Sequence, residues 1–365
     1  MTQQEVAEHL GIPRSGVSEI ETGRRDLSAV ELFQLARLFG EPMEHLLGLA
    51  EHAPEEDLVM LRAEIITPST RAELRRFVNL CHEYQQLEEW TGEAREPDLR
   101  SIRAILSTYE QARTLAAQER KRLDLGATPA RHLLTLLEEH VGVKVLFLDV
   151  NDAISGAAIT SPRFGPAILV NCRHSAGRQA FTLAHEYFHL LTRGRVARSR
   201  GAQAVHLCEA RAPDGGKDRG EQLADQFAAE LLMPTEHFVE RIRELAGEDR
   251  VIDPVDLIGV ARYFGVSVQA VFVRMAAHRM ITWEVAKQAY EDPELREEIL
   301  RRGGGEQAPE PMRFKRLAVK AFLADQISRA RLAELLDVNV ADVEQELKRF
   351  GGEDTGLRVK LSLPR

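Results

Sequence analysis

The sequence predicts a mixed α+β fold, mainly helical, assembled from several units. Three observations point there. Residues 178–191 and 221–233 repeat apolar side chains at helical spacing. Between Val143 and Asn171, short runs rich in Val, Ile and Phe alternate with Gly and Pro, the pattern of a small sheet. A stretch from Gly303-Gly304-Gly305 to Pro309 and Pro311 then reads as a linker before one more helical pattern. At ~100–200 residues per domain, 365 residues leave room for two or three.

The elements follow in order. Gln3–Leu10, Ser15–Glu21 and Leu27–Phe39 read as short helices, with turns at Gly11 and Gly23 and Ser28 as an N-cap. Residues 55–125 are charged and helical in period. His132–His140 is a helix ended by Gly142. Val143–Leu148, Ala157–Thr160 and Ala167–Asn171 are strands, with Pro162–Pro166 as a turn. Arg178–Leu191 is a helix, and Arg193–Gly220 a polar loop holding a short strand at Ala204–Leu207. Glu221–Met233 is a strongly periodic helix stopped by Pro234. Val255–Phe264 and Val268–Met275 are helices, as are Phe314–Ala324, Arg329–Leu336 and Val340–Phe350. The divisions expected are 1–50, a compact helical unit; 51–105, a helical connector; 106–280, the sheet-bearing domain; 281–311, a helix and the Gly/Pro linker; and 312–365, a small helical unit.

Composition excludes several classes. A formal charge of −9 argues against broad electrostatic binding of nucleic acid, so any DNA contact must be local. Cys81, Cys172 and Cys208 are far apart and form no disulfide framework, which fits a reducing compartment. The chain shows neither a signal-peptide pattern nor an apolar run near the ~18 residues of a membrane helix, so a cytoplasmic location without membrane contact is expected.

His185-Glu186-Tyr187-Phe188-His189 is H-E-x-x-H on a predicted helix. Positions i and i+4 share a face, so both imidazoles can reach one metal, zinc being the natural choice. Glu186, one residue off that pair, is placed to act as general base on water activated by the metal. Two histidines need a third ligand. Glu221 and Asp225 open the next helix and are themselves i and i+4. Glu221 is read as the third ligand, and Asp225 as the acceptor for the second N–H of a ligating histidine. His₂Glu also suits manganese.

Other residues carry weaker signals. His206, Cys208 and Glu209 lie in a polar loop and read as a surface cluster. His174 and Arg178 are candidates for substrate contact. Tyr187 reads as a packed aromatic rather than an oxyanion donor, and Glu230 as solvent-facing or structural. Ala167–Asn171 reads equally as a core strand or as an edge able to pair with an extended peptide.

Phe181-Thr-Leu-Ala-His-Glu-Tyr-Phe-His-Leu-Leu191, with Ala224-Asp-Gln-Phe-Ala-Ala-Glu-Leu-Leu-Met-Pro234, resembles the ImmA/IrrE family of bacterial metallopeptidases over roughly residues 105–280. The resemblance implies a gluzincin-like zinc site, with His185, His189 and Glu221 as ligands and Glu186 as catalytic base. It also implies cleavage of a helix-turn-helix repressor in a damage or mobile-element response. A non-proteolytic or antitoxin-like role, with the metal domain as sensor or scaffold, is the alternative.

Thr2–Gly23 is similar to the Cro/C1-type (XRE) helix-turn-helix. Gly11 turns between two helices, and Arg14, Ser15 and Ser18 project from the second toward a major groove. Gln3, at the start of the first helix, and Arg24, after the second, are placed for backbone phosphates. Residues 1–50 hold four basic and eight acidic side chains, so DNA binding should be weak to moderate unless a homodimer doubles the contacts. Residues 327–343 repeat a similar two-helix rhythm, read as packing on the domain before it or as a dimer contact.

Overall fold

The computed structural model describes residues 2–39, 43–47, 68–100, 102, 106–126, 128–200, 204–209, 219–247, 251–303 and 310–354. The architecture is the mixed, mainly helical α+β fold that the sequence predicts. Four helices open the chain: α1 (Gln3–Leu10), α2 (Arg14–Glu21), α3 (Ala29–Phe39) and α4 (Met43–Leu46). Most of the segment read as a connector before residue 68 lies outside the described residues. Then come α5 (Pro68–Thr91), α6 (Tyr109–Arg122) and α7 (Leu133–Leu136), which runs on as a π-helical turn over Leu137–Val141. The strands are β1 (Lys144–Leu148), β2 (Ile154–Ser161), β3 (Gly165–Asn171) and β4 (Ala204–Glu209), with α8 (Ala176–Arg200) between β3 and β4. After β4 follow α9 (Arg219–Leu232), α10 (Thr235–Ala246), α11 (Leu257–Phe264), α12 (Val268–Ala277), α13 (Trp283–Glu291), α14 (Pro293–Gly303), α15 (Met312–Leu323), α16 (Arg329–Leu336) and α17 (Val343–Asp354). Residues 304–309 of the Gly/Pro linker lie outside the described residues.

Two expectations need correction. Residues 193–200 were expected in a loop, but α8 continues to Arg200 and the strand after it runs from Ala204 to Glu209. The apolar signal stops at Leu191, yet a helix can continue with polar residues once its buried half is anchored. The second correction concerns β3. The sheet order is β1-β3-β2-β4, so Ala167–Asn171 is interior, parallel to β1 and antiparallel to β2. Both edges of that strand are taken, and it cannot receive a peptide. The strand reads as continuously apolar because both its faces are covered.

Those two faces belong to different cores. Side chains alternate along each strand. Val145, Ala158, Ile168 and Val170 face one core, shared with Leu183, Tyr187 and Phe188 of α8 and Phe227 and Leu231 of α9. Leu146, Leu148, Ile159, Ala167 and Leu169 face the other, shared with Phe77 and Tyr84 of α5 and Phe314, Leu317 and Leu332 of the last helices. No single described helix is long and apolar enough to cross a membrane; the apolar pair α11–α12 bends by 100° and packs into the first core.

A buried polar network ties the second layer together. Glu88 of α5 accepts from Lys144 at 2.7 Å and from Arg313 of α15 at 2.6 Å. Beside it, Glu93 accepts from Arg316 at 3.0 Å and from Lys320 at 2.9 Å. The charges of Glu88, Lys144 and Arg313 are tolerated at their depth because each meets its opposite; removing one partner would strand the other. The Tyr84 hydroxyl lies 3.5 Å from the buried carboxyl of Glu138, on the π-helical turn.

Burial lifts the Glu138 carboxyl to about 8; Glu139 adds to the rise, while Arg313, the Tyr84 hydroxyl and Arg316 oppose it. An unfolded glutamate titrates near 4.5. Between the two values the folded protein holds a proton that the unfolded chain has lost, so stability falls as pH rises through that window. Below the lower value both states are protonated and the cost disappears. Urea unfolding from about pH 5 to about pH 8 should therefore show wild type losing stability relative to Glu138→Gln. Parallel curves would mean that Glu138 is ionised throughout.

Candidate functional site

Residues of H-E-x-x-H lie near the middle of α8, a helix apolar on nearly every side where its surroundings are described. Phe188, Leu183, Leu190 and Leu191 are buried around them, and His185, Glu186 and His189 are 2, 0 and 2 % exposed. Titratable groups at that depth need partners. The packing on the sheet side is tight. A Cβ on Gly156 of β2 would lie 2.5 Å from Thr182 Cγ2 and 3.1 Å from Glu186 Cγ. Glycine there lets α8 settle onto the sheet and sets the floor beneath Glu186. The sequence reading began this strand at Ala157 and missed it; an isolated glycine before a strand run is the available signal, since it marks close backbone approach.

Facing α8 is α9. Its apolar row, Leu223, Phe227 and Leu231, packs on Phe188 and Tyr187, with the Phe188 and Phe227 rings 5.5 Å apart. This docking turns the first turn of α9 toward the histidines. His185 Nε2 lies 3.2 Å from Glu221 Oε2, His189 Nε2 lies 3.4 Å from Glu221 Oε1, and the two Nε2 atoms are 3.2 Å apart. Asp225, one turn further on, places Oδ1 3.0 Å from His185 Nδ1. With its Nδ1–H donating to the Asp225 carboxyl oxygen, the neutral His185 ring presents the lone pair of Nε2 toward Glu221.

These donors fit a metal ion. At bond lengths of about 2.0–2.1 Å, ligand atoms on a tetrahedral zinc sit roughly 3.3–3.4 Å apart; the two imidazole nitrogens meet that spacing, and one ligand atom from each of the three residues lies within 4.8 Å of the others. Lone pairs of a neutral imidazole and a carboxylate repel one another at such range, and a cation between them removes the conflict. His185, His189 and Glu221 form the single His/Cys/Asp/Glu group among the described residues whose ligand atoms converge in this way.

The neighbouring candidates separate. Tyr187 is fully buried on the far side of α8, donating to Glu119 Oε2 at 2.5 Å and accepting from Arg122 at 2.7 Å. Burial raises its pKa well beyond the ordinary range for tyrosine. It packs and anchors, and the Glu119–Arg122 pair that holds it was not legible beforehand. Glu230 is buried and structural: it accepts from Thr235 N at 2.8 Å, caps α10 and pairs with Arg274. The backbone of His206, Cys208 and Glu209 forms β4; their side chains lie outside the description.

At the other end of the chain, α1 begins with a capping box between Thr2 and Glu5. Gly11, at φ +66°, turns the chain into α2. Arg14, Ser15 and Arg24 are exposed and Ser18 half-exposed. Gln3 is engaged within the unit, donating to Glu21 at 2.7 Å and accepting from Arg14 at 3.3 Å. Arg25 pairs with Glu31 at 2.5 Å and braces α3.

Comparison with known proteins gives two family matches. Residues 1–46 match the helix-turn-helix family, and residues 138–276 match the IrrE N-terminal-like domain of the M78 peptidases. No curated protein matches the chain. A solved structure described as a Mycobacterium tuberculosis transcriptional regulator aligns at 16 % identity over 54 % of this chain and 51 % of that one, with a TM-score of 0.32, too low to bear on the argument. The chain spans about half the length of that protein. Sequence, geometry and family matches together identify a chain that joins an N-terminal helix-turn-helix domain to an IrrE-like domain of the M78 peptidase type.

Proposed function

We propose that this DNA-binding regulator is also a zinc-dependent endopeptidase, acting on a protein substrate such as a helix-turn-helix repressor. The observation that carries the reading is the convergence of His185, His189 and Glu221 within 3.2–3.4 Å of one another inside the core. In this reading those three hold the metal and Asp225 fixes the tautomer of His185. A zinc ion held there would supply Lewis acidity to a bound water or peptide carbonyl. Glu186, buried beside Gly156, accepts the proton of the attacking water and returns it to the leaving amine. Among the described residues no strand pairs with the outer edge of β4, where an extended substrate can pair. Arg14, Ser15, Ser18 and Arg24 present the face that meets DNA, with Gln3 supporting Arg14.

Elemental analysis of the purified protein should find near one zinc per chain, lost in His185→Ala and in Glu221→Ala. Asp225→Ala should keep the site while weakening zinc affinity about 10–100-fold. Little metal in wild type after remetallation would sink the enzyme reading, and retention in Glu221→Ala would move the third ligand elsewhere.

Glu186→Gln should keep zinc and operator binding while lowering peptide hydrolysis by roughly 10²–10⁴-fold. Equal hydrolysis by the variant and wild type would leave a non-proteolytic regulator with a metal-bound scaffold.

Arg14→Ala should weaken DNA binding and reduce the slope of log affinity against log salt by about one, measured by titration at several salt concentrations. An unchanged slope would remove Arg14 from the phosphate contacts.

A further inference from the structure

Glu221 has the least secure mounting of the three metal-facing residues. His185 and His189 sit well inside α8, with further turns of helix before and after them. Glu221 lies in the first turn of α9. The leading amides of a helix have no partner within it, and helix ends open more readily than helix middles. The buried residues of α9 begin only at Leu223, so the core grips the helix after this ligand and not before it.

A second set of contacts holds that turn from outside. Arg219, the first residue of α9, donates to the Ser107 carbonyl oxygen from Nε at 3.0 Å and from Nη2 at 2.9 Å. Its guanidinium lies over the Tyr109 ring, 4.2 Å from the centroid. Arg219 Nη1 and the Tyr109 hydroxyl both donate to Gln222 Oε1, at 3.2 and 2.8 Å. The anchor on the α6 side is firm. Thr108 and Gln111 close a capping box, and Ser107 N donates to the same Gln111 side chain at 2.8 Å. Ala112, Leu115 and Ala116 then fix α6 in the core that also holds Leu223 and Phe227. In sequence, Glu221 lies between Arg219 and Gln222, the two residues tied to α6 in this way. Arg219 and Tyr109 are exposed, where such contacts add little to the stability of a whole fold. A cation in the first turn also works against the helix dipole, so Arg219 gains nothing from its own helix.

We propose that Arg219 and Tyr109 are positioning residues that clamp the first turn of α9 to α6 and so hold the Glu221 carboxylate at the two histidines before a metal arrives. This deepens the zinc reading and rests on it. A site whose third ligand is already in place does not have to order it on binding. Without the clamp, apparent affinity falls by the fraction of chains in which the turn stays formed.

The test uses the full chain. Zinc affinity is read by competition with a coloured chelator. Hydrogen–deuterium exchange of the metal-free protein is read over residues 223–226, whose amides bond to the first turn, and over α8. Arg219→Ala should weaken zinc binding about tenfold, the effect of losing a group that orients a ligand. Tyr109→Phe keeps the ring and loses the hydroxyl, and should weaken it about threefold. In metal-free Arg219→Ala, exchange should quicken over 223–226 and keep the wild-type rate over α8, and saturating zinc should restore the protection. Unchanged zinc affinity in Arg219→Ala, or exchange that quickens equally over both helices, overturns the clamp and leaves the zinc reading intact. Failure of the wild-type chain to take up zinc overturns the metal reading on which the clamp rests, and it shows before any variant is compared.

Discussion

His185, His189 and Glu221 bring two imidazole nitrogens and a carboxylate into mutual contact where little water reaches them. Left to themselves, such groups would separate or change protonation, because desolvated lone pairs and charges repel. What keeps them together is their mounting. Both histidines ride on one helix that is apolar on nearly every described side, and Glu221 rides on a second helix whose Phe227 and Leu231 lock onto the first. Asp225 adds a hydrogen bond that fixes the His185 ring. The sheet serves the same end, since its glycine at 156 lets α8 come close enough for Glu186 to lie flat against the strand.

The sheet also divides the protein into a chemical side and a supporting side. On the supporting side α5, β1 and α15 meet through Glu88, Lys144 and Arg313, and Met43 N reaches Glu334 of α16 at 3.5 Å, touching the helix-turn-helix end of the chain to the last helices. The DNA-facing unit thus rests on the layer opposite the histidines.

Much of this was legible in the sequence, for local reasons. Five residues, His185 to His189, fix the geometry of two donors because helical periodicity places i and i+4 together. Glu221 and Asp225 share that spacing, so the fold brings together all four side chains singled out beforehand. The helix-turn-helix was legible from Gly11 and the short apolar rhythm around it. Strand order was not: nothing local in Ala167–Asn171 says that β1 will pair on one side and β2 on the other, because pairing is settled by partners far along the chain. The reach of α8 to Arg200 was hidden by polar composition.

The supporting core has a consequence for the order of assembly. Glu88 finds Arg313 across 225 positions of sequence, and Phe77 and Tyr84 share their core with Phe314 and Leu332. During synthesis α5 is available to the back of the sheet from the start, but the part that α15 and α16 cover stays open until those helices have left the ribosome. At translation rates of about 5–20 residues per second, an apolar surface made from β1, β2 and β3 is exposed for many seconds after those strands emerge. The helices that close it come well over a hundred residues after those strands, so this part of the fold is completed by a long-range contact, which is the slow kind.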